Sequence, residues 1–97
     1  MTDRNAIAPE PAPDVVYTRV SEGAVLLSTA EEVYYGLNPV GARVWELLEA
    51  GRSVAEICGQ IGEEFEGAEE ETVRGDVAEI LDDLADFGLI RVPEGSL

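Results

Sequence analysis

The sequence predicts an α+β domain with a winged-helix-like arrangement, in which a three-stranded antiparallel sheet is followed by three helices. The first part of the chain carries three short runs rich in β-branched and aromatic residues, bounded by Gly, Ser and Glu clusters. From residue 38 onward, apolar residues recur every three or four positions, which is the helical period. A length of 97 residues allows one domain with a modest core.

The N-terminal segment is predicted to be separate from the folded unit, with residues 1–13 as a flexible tail and residues 14–97 as the domain. Pro9, Pro11 and Pro13 lack the backbone N–H group, so regular hydrogen bonding is disfavoured. An extended, mobile lead-in is therefore expected.

The strands of the sheet are predicted at Val15–Val20, Ala24–Ser28 and Glu32–Leu37. Side chains alternate along a strand, so in the third run Val33, Tyr35 and Leu37 share one face. Tyr34 lies on the opposite face and is expected to be the more exposed of the two neighbouring tyrosines.

Cap residues delimit the first two helices. Asn38 is a good N-cap and Pro39 suits the first helical position, so the first helix begins here, and it ends at Gly51. Ser53 and Glu56 form a capping-box pattern that opens the second helix. The apolar stripe of each helix is expected to face the core.

The third helix is predicted over residues 69–87, with three glutamates in its first turn, where the helix dipole favours negative charge. Gly88 ends it, and residues 89–92 are expected to form a short strand or to cover the core. Trp45 and Cys58, on the first and second helices, are interpreted as packing residues.

The net charge of −15 limits the classes of partner. The chain has six arginines and no lysine against 21 acidic residues, and a field of this sign repels phosphate backbones. The third helix carries Arg74 as its only base, which argues against a helix-turn-helix DNA reader. The prediction is therefore that nucleic acid is not a partner and that basic partners are favoured.

No segment is predicted to enter a membrane. No apolar run approaches the ~20 residues that a spanning helix needs, and the start of the chain lacks the apolar stretch of a secretory signal. A cytoplasmic location is expected.

The sequence contains no recognisable catalytic constellation. There is no histidine, Cys58 is the only cysteine, and the serines lack a nucleophile elbow. No glycine-rich phosphate-binding loop is present. The sequence therefore predicts a protein that is not an enzyme and that binds no cofactor and no metal.

Several segments, taken in order, resemble the PqqD-like family, the peptide-recognition domains of ribosomally made, modified natural products. They are Ala24–Ser28, Tyr34–Gly41, Val44–Leu48, Gly51–Ile57 and Gly88–Ile90. Their order and spacing carry the resemblance, which covers residues 15–92.

The resemblance implies that the chain binds the leader segment of a precursor peptide as an added strand, in the cleft between the third strand and the third helix. The implied contacts on the strand are Glu32, Val33, Tyr34, Tyr35 and Gly36. The implied contacts on the helix are Arg74, Asp76, Val77, Ala78, Leu81 and Ala85. Plain core packing is the alternative interpretation of the apolar members of both sets.

Within the implied cleft, the apolar border formed by Ala78, Leu81 and Ala85 would receive an anchor residue of the peptide, and Asp76 would pair with a basic group. The family also implies a partner maturation enzyme, either a protease or a radical enzyme. Lasso-peptide maturation and PQQ biosynthesis are among the pathways that such a domain would serve.

Two other functions stay open. An acidic winged-helix module could mediate protein contacts or regulate transcription without catalysis. The edge of the third strand could also pair with a second copy of itself, so the chain is expected to be a monomer or a weak dimer.

Overall fold

Three antiparallel strands followed by three helices form the body of the protein. The computed structural model describes residues 7–65, 67 and 69–92. The elements are, in order, β1 Glu10–Pro11, β2 Val15–Val20, β3 Gly23–Ser28, β4 Val33–Leu37, α1 Pro39–Glu49, α2 Val54–Glu64, α3 Glu70–Asp86 and β5 Ile90–Arg91. The predicted winged-helix-like α+β fold is confirmed, and β1 and β5 add a second, two-stranded sheet. No helix in the described ranges is long and apolar enough to cross a membrane.

The larger sheet has the strand order β2-β3-β4, so β3 is central and β2 and β4 are its edges. Val20 and Gly23 face each other across the two-residue turn between β2 and β3. Gly23 has a φ of 134°, and a side chain there would overlap the carbonyl oxygen of Leu37. This glycine therefore allows the first hairpin to approach the junction between β4 and α1.

The inner face of this sheet forms one core with side chains from the three helices. Leu26, on the central strand, is fully buried, and its partners in the same cross-strand row are Tyr17 on β2 and Tyr35 on β4. Trp45 is only 1% exposed and is a packing residue, as the sequence predicts. Its indole N–H has no hydrogen-bond partner among the described atoms.

Local signals set the ends of the helices. The Asn38 side chain accepts a hydrogen bond from the Gly41 backbone N–H at 2.7 Å and caps α1. Ser53 and Glu56 each accept a hydrogen bond from the other's backbone N–H, at 3.2 and 2.9 Å, and form the capping box of α2. Gly88 adopts a φ of 71° just after α3. The caps and the stop that the sequence predicts are confirmed at these positions.

The N-terminal segment differs from its prediction over the part that the structure describes. β1 pairs antiparallel with β5. The Ala12 N–H donates to the Leu89 carbonyl oxygen at 2.9 Å, and the Ile7 carbonyl oxygen accepts from the Val54 N–H at 2.9 Å. This segment is therefore part of the folded body. Residues 1–6, where the sequence also predicts flexibility, lie outside the described residues.

The spacing of the prolines explains why the segment pairs. Along a strand, successive residues direct their N–H groups to opposite sides. Since Ala12 faces β5, Glu10 does so too, and Pro9, Pro11 and Pro13 fall on the other side, where no donor is needed. Proline at every second position is thus compatible with an edge strand.

Candidate functional site

β4 is an edge strand, and the register determines which of its backbone groups point away from the sheet. The Thr29 N–H donates to the Asp14 carbonyl oxygen at 2.9 Å, one step beyond Ser28 in the β2–β3 ladder. Bonded and non-bonded pairs alternate in such a ladder, so Ser28 directs its N–H and C=O toward β4 instead. Residues two apart behave alike, so Leu26 and Ala24 do the same.

The outward-facing positions of β4 follow from this alternation. Val33, Tyr35 and Leu37 lie opposite those β3 residues and use their N–H and C=O groups inside the sheet. Tyr34 and Gly36 direct theirs away from it, where no described strand pairs with them. The Tyr34 side chain is 73% exposed, and a Cβ at Gly36 would meet no atom within 4 Å. This edge is open and offers donors and acceptors to an added strand.

A groove lies beside this edge, between β4 and α3, with a volume of about 330 Å³. It is lined by Tyr35, Asn38, Val40, Asp76, Glu79, Ile80 and Asp83, and we call it the acidic groove. Val40 and Ile80 are half-buried and pack against the core. The three carboxylates all come from α3. The groove is therefore apolar where it meets the core and acidic along the helix.

Tyr35 bridges the two walls of the acidic groove. Its hydroxyl donates to the Oδ2 atom of Asp83 at 3.3 Å, and its ring centroid lies 5.2 Å from that of Phe87, with the planes tilted by 58°. Burial, and after it the Asp83 carboxylate, raise the pKa of Tyr35 above its ordinary value. The phenol therefore remains a protonated donor at neutral pH and connects β4 to the end of α3.

The predicted contact residues of β4 lie on the two opposite faces of the strand. Val33 and Tyr35 are half-buried on the inner face, whereas Tyr34 and Gly36 are exposed, as the alternation predicts. Glu32 is exposed in the turn before the strand and has a φ of 52°.

The predicted residues of α3 do not form one surface. Asp76 lines the acidic groove. Val77 and Leu81 are 0% and 5% exposed and belong to the core, which favours the alternative interpretation of these two residues. Arg74 lines a separate hollow of about 480 Å³ between α2 and α3, next to the half-buried Cys58. Burial raises the pKa of the Cys58 thiol.

The apolar border expected to hold an anchor residue is a point of difference between sequence and structure. A rotation of about 100° per residue puts Ala78 and Ala85 on the Arg74 side of α3, away from the acidic groove. Ala78 is half-buried and Ala85 is exposed, and Leu81 beside them is core. The physical reason is that this side of α3 lies toward α2, with the hollow lined by Cys58 and Arg74 between the two helices, and does not face β4.

The groove residues that the sequence analysis missed are Asn38, Val40, Glu79, Ile80 and Asp83. A rotation of about 100° per residue places Ile80 and Asp83 on the same border of α3 as Asp76, so the sequence does indicate that these three residues lie together. Which border of α3 faces β4 is decided by tertiary packing, and no local signal in the sequence reports it.

The outer face of the three-stranded sheet carries no charged side chain. It is formed by Val16, Thr18, Val20, Val25, Leu27, Tyr34 and Gly36. Val16, Leu27 and Tyr34 form one cross-strand row, and Val16 and Val20 are both half exposed. In a chain whose residues are 28% charged, this face is therefore distinguished by its lack of charge.

At the other edge of the sheet, arginines neutralise the helix carboxylates. The Tyr17 hydroxyl donates to the Oε2 atom of Glu46 at 2.6 Å, and Arg19 lies 3.5 Å from the same oxygen. Arg43 contacts Glu46 at 3.2 Å and pairs with Glu64 through two nitrogens, at 2.8 and 2.9 Å. Burial, and next the bond to Glu46, raise the pKa of Tyr17 to about 12. We call this set the arginine cluster.

Comparisons with known proteins agree with this geometry. The model of the family described as Coenzyme PQQ synthesis protein D (PqqD) matches residues 23–90. The structure of TbiB1 in complex with the TbiA(beta) leader peptide is 33% identical, covers 84% of this chain and 93% of that chain, and has a TM-score of 0.77. A lasso peptide synthetase B1 complexed with the leader peptide is 24% identical, with coverages of 86% and 96% and a TM-score of 0.76, and it shares the fold. The comparison with curated proteins gives no match.

Proposed function

Because the chain belongs to the PqqD family, we propose that it binds the leader segment of a ribosomally synthesised precursor peptide and presents it to a partner modifying enzyme or protease. The peptide adds as a strand to the open edge of β4. The observation that carries the proposal is the pair of outward-facing backbone positions, Tyr34 and Gly36, beside the acidic groove. The leader-peptide complex of TbiB1, which is 33% identical to this chain, supports a ligand of this kind.

An added strand binds through its backbone and is selected through its side chains. Peptide residues opposite Tyr34 and Gly36 exchange N–H···O bonds with them, and each bond contributes about 0.5–1.5 kcal/mol net. These bonds do not depend on the peptide's side chains. The peptide residue opposite Tyr35 directs its side chain to the same face as Tyr35, into the acidic groove. Selectivity between peptides therefore depends on the groove.

The outer face of the sheet is the surface that best fits the partner enzyme, because it is uncharged and partly apolar. Three strands spaced by about 4.8 Å, with five residues each, give a patch of roughly 250 Å². A stable protein complex buries about 800 Å² on each partner, so this patch alone is small. A bound leader strand would widen it, and the partner would then contact protein and peptide together.

Recognition, rather than chemistry, is the role that the side chains support. The chain has no histidine and a single cysteine, and burial raises the pKa of that thiol away from the reactive range. The reaction on the precursor is therefore assigned to the partner enzyme. We place the protein in the cytoplasm as a monomer or weak dimer.

Tyr34→Pro tests strand addition at the position where it removes one outward-facing N–H and no bond of the β3–β4 ladder. The probe is a fluorescein-labelled synthetic peptide with the leader sequence encoded in the same gene cluster. We expect its affinity, measured by fluorescence anisotropy, to fall at least about tenfold, because a main-chain bond is lost and the proline ring obstructs the edge.

Tyr34→Ala is the matched control, since it removes the same exposed side chain and keeps the N–H. Its affinity should stay within about threefold of the parent, and circular dichroism should show both variants folded. Equal affinity of Tyr34→Pro and the parent would contradict strand addition on this edge, and absence of saturable binding to the parent would contradict the proposed function.

A further inference from the structure

We propose that the leader peptide recognised by this chain places a lysine or arginine side chain opposite Tyr35, where the carboxylates of Asp76, Glu79 and Asp83 select it. This inference rests on the proposed function and adds the chemical class of the peptide residue that binds in the acidic groove. It follows from the orientation of the edge, the shape of the groove and the distribution of charge in the chain.

The orientation of the edge decides which peptide side chain enters the groove. Backbone bonds to Tyr34 and Gly36 fix the register of the added strand, and the peptide residue between those two pairs lies opposite Tyr35. Its side chain points to the inner side of the sheet, where α3 forms the opposite wall. One side chain of the peptide is therefore placed in the groove by the backbone alone.

The shape of the acidic groove suits a long side chain with an apolar stem and a cationic end. Val40 and Ile80, half-buried against the core, provide an apolar surface for a methylene chain. The carboxylates recur at three- and four-residue spacing along α3, so they lie on successive turns about 5.4 Å apart. A short or purely apolar side chain would cover the apolar surface but form no ion pair with the exposed carboxylates.

No arginine of the described ranges forms an ion pair with this row of carboxylates. Among the described residues, Arg19 and Arg43 pair with Glu46 and Glu64. The remaining ion pairs of the described ranges join Arg52 to Glu56 and Arg74 to Glu70. None of them reaches the acidic groove.

The hydrogen bond that Tyr35 makes to a groove carboxylate leaves room for a cation. The Tyr35 hydroxyl bonds the Oδ2 atom of Asp83 at 3.3 Å. A carboxylate accepts several hydrogen bonds, so this neutral donor does not replace a cation. Charge complementarity therefore identifies the occupant as basic.

The decisive experiment compares two triple variants of the full chain with equal change in net charge. The groove variant is Asp76→Asn with Glu79→Gln and Asp83→Asn. The control variant is Glu49→Gln with Glu63→Gln and Glu71→Gln, three exposed positions that do not line the groove. Both variants are titrated with the fluorescein-labelled leader peptide and with versions of it in which each lysine or arginine is replaced in turn by glutamine.

We expect the groove variant to bind the unmodified leader about tenfold more weakly at low ionic strength, and the control variant to stay within about twofold of the parent. For the parent chain, replacing one particular lysine or arginine of the peptide by glutamine should lower the affinity by the same factor. That modified peptide should bind the groove variant and the parent alike, because the two changes remove one interaction.

The outcomes separate the two proposals. If the leader binds the groove variant as tightly as the parent, or if no basic residue of the leader matters, the inference is overturned and strand addition stands. If the leader binds the parent at no concentration tested, the proposed function fails and the inference fails with it. Single substitutions at Asp76 and Glu79 repeat the comparison if the triple variant does not fold by circular dichroism.

Discussion

At each edge of the sheet a tyrosine hydroxyl donates to a helix carboxylate, but the charges around the two carboxylates differ. Tyr17 on β2 and Tyr35 on β4 flank the buried Leu26 in one row, and each hydroxyl bonds a helix carboxylate. At the β2 edge the carboxylate, Glu46, also contacts two arginines, whereas at the β4 edge Asp83 contacts none among the described residues. Arginines of the chain therefore pair with the carboxylate at the first edge, whereas the proposed function assigns the matching cation at the second edge to a bound peptide.

The largest expected effect comes from removing the residue that both edges share. Leu26→Ala should lower the free energy of unfolding by about 2–4 kcal/mol, because it leaves a cavity at the centre of the row. Urea denaturation followed by circular dichroism measures the change. Leu27→Ala, one position along on the partly exposed outer face, is the control and should cost clearly less. Equal losses would contradict the central place of Leu26 in the core.

The two tyrosines provide a direct comparison of the edges. Tyr17→Phe removes a 2.6 Å bond to a carboxylate held by arginines, and we expect a loss of about 1–2 kcal/mol in the free energy of unfolding. Tyr35→Phe removes a 3.3 Å bond at a more open site and should cost about 0.5 kcal/mol or less. The same urea titration compares both variants with the parent. A larger loss for Tyr35→Phe would reverse the distinction drawn between the edges.

The smallest effect, and the one that isolates the arginine cluster, is the dependence of stability on pH. The bond from Tyr17, followed by the contacts with arginines, lowers the pKa of Glu46, and Arg43 lowers the pKa of Glu64. A carboxyl with a lowered folded-state pKa stabilises the protein above its ordinary pKa and loses that contribution as the pH falls through the folded-state value. Melting temperatures should therefore decline below about pH 4.5.

Arg43→Met identifies the source of that acid sensitivity. This variant should be less stable than the parent at neutral pH, and its melting temperature should change less between neutral and acid pH, because Glu46 and Glu64 then lose their principal cation. Parallel pH profiles for the parent and the variant would show that the acid sensitivity arises elsewhere in the chain.

The sequence predicted what local chemistry determines. Asn38, Ser53 and Gly88 act through neighbours a few positions away, and all three operate as predicted. The alternation along β4 likewise gives an exposed Tyr34 and a half-buried Tyr35. These features need no knowledge of distant parts of the chain.

The features that the sequence did not reveal depend on distant partners. Taken alone, the prolines before residue 14 disfavour a strand. β5, some 80 positions later, pairs only with the side of this segment that carries the N–H groups of Glu10 and Ala12, so the prolines do not prevent the pairing. On α3, the small apolar residues Ala78 and Ala85 suggested a binding border, but that side lies toward α2, and the charged border faces β4. In both cases the sequence spacing was compatible with the observed structure, and tertiary packing decided between the alternatives.

The pairing of β1 with β5 also joins two segments that are far apart in the sequence. Glu10 and Arg91 form a facing antiparallel pair, so their Cα atoms lie about 5.5 Å apart. This pair closes a loop of about 80 residues that contains the three-stranded sheet and the three helices. Closing so long a loop costs conformational entropy, so we expect β1 and β5 to pair late in folding, after the sheet and the helices have brought them together.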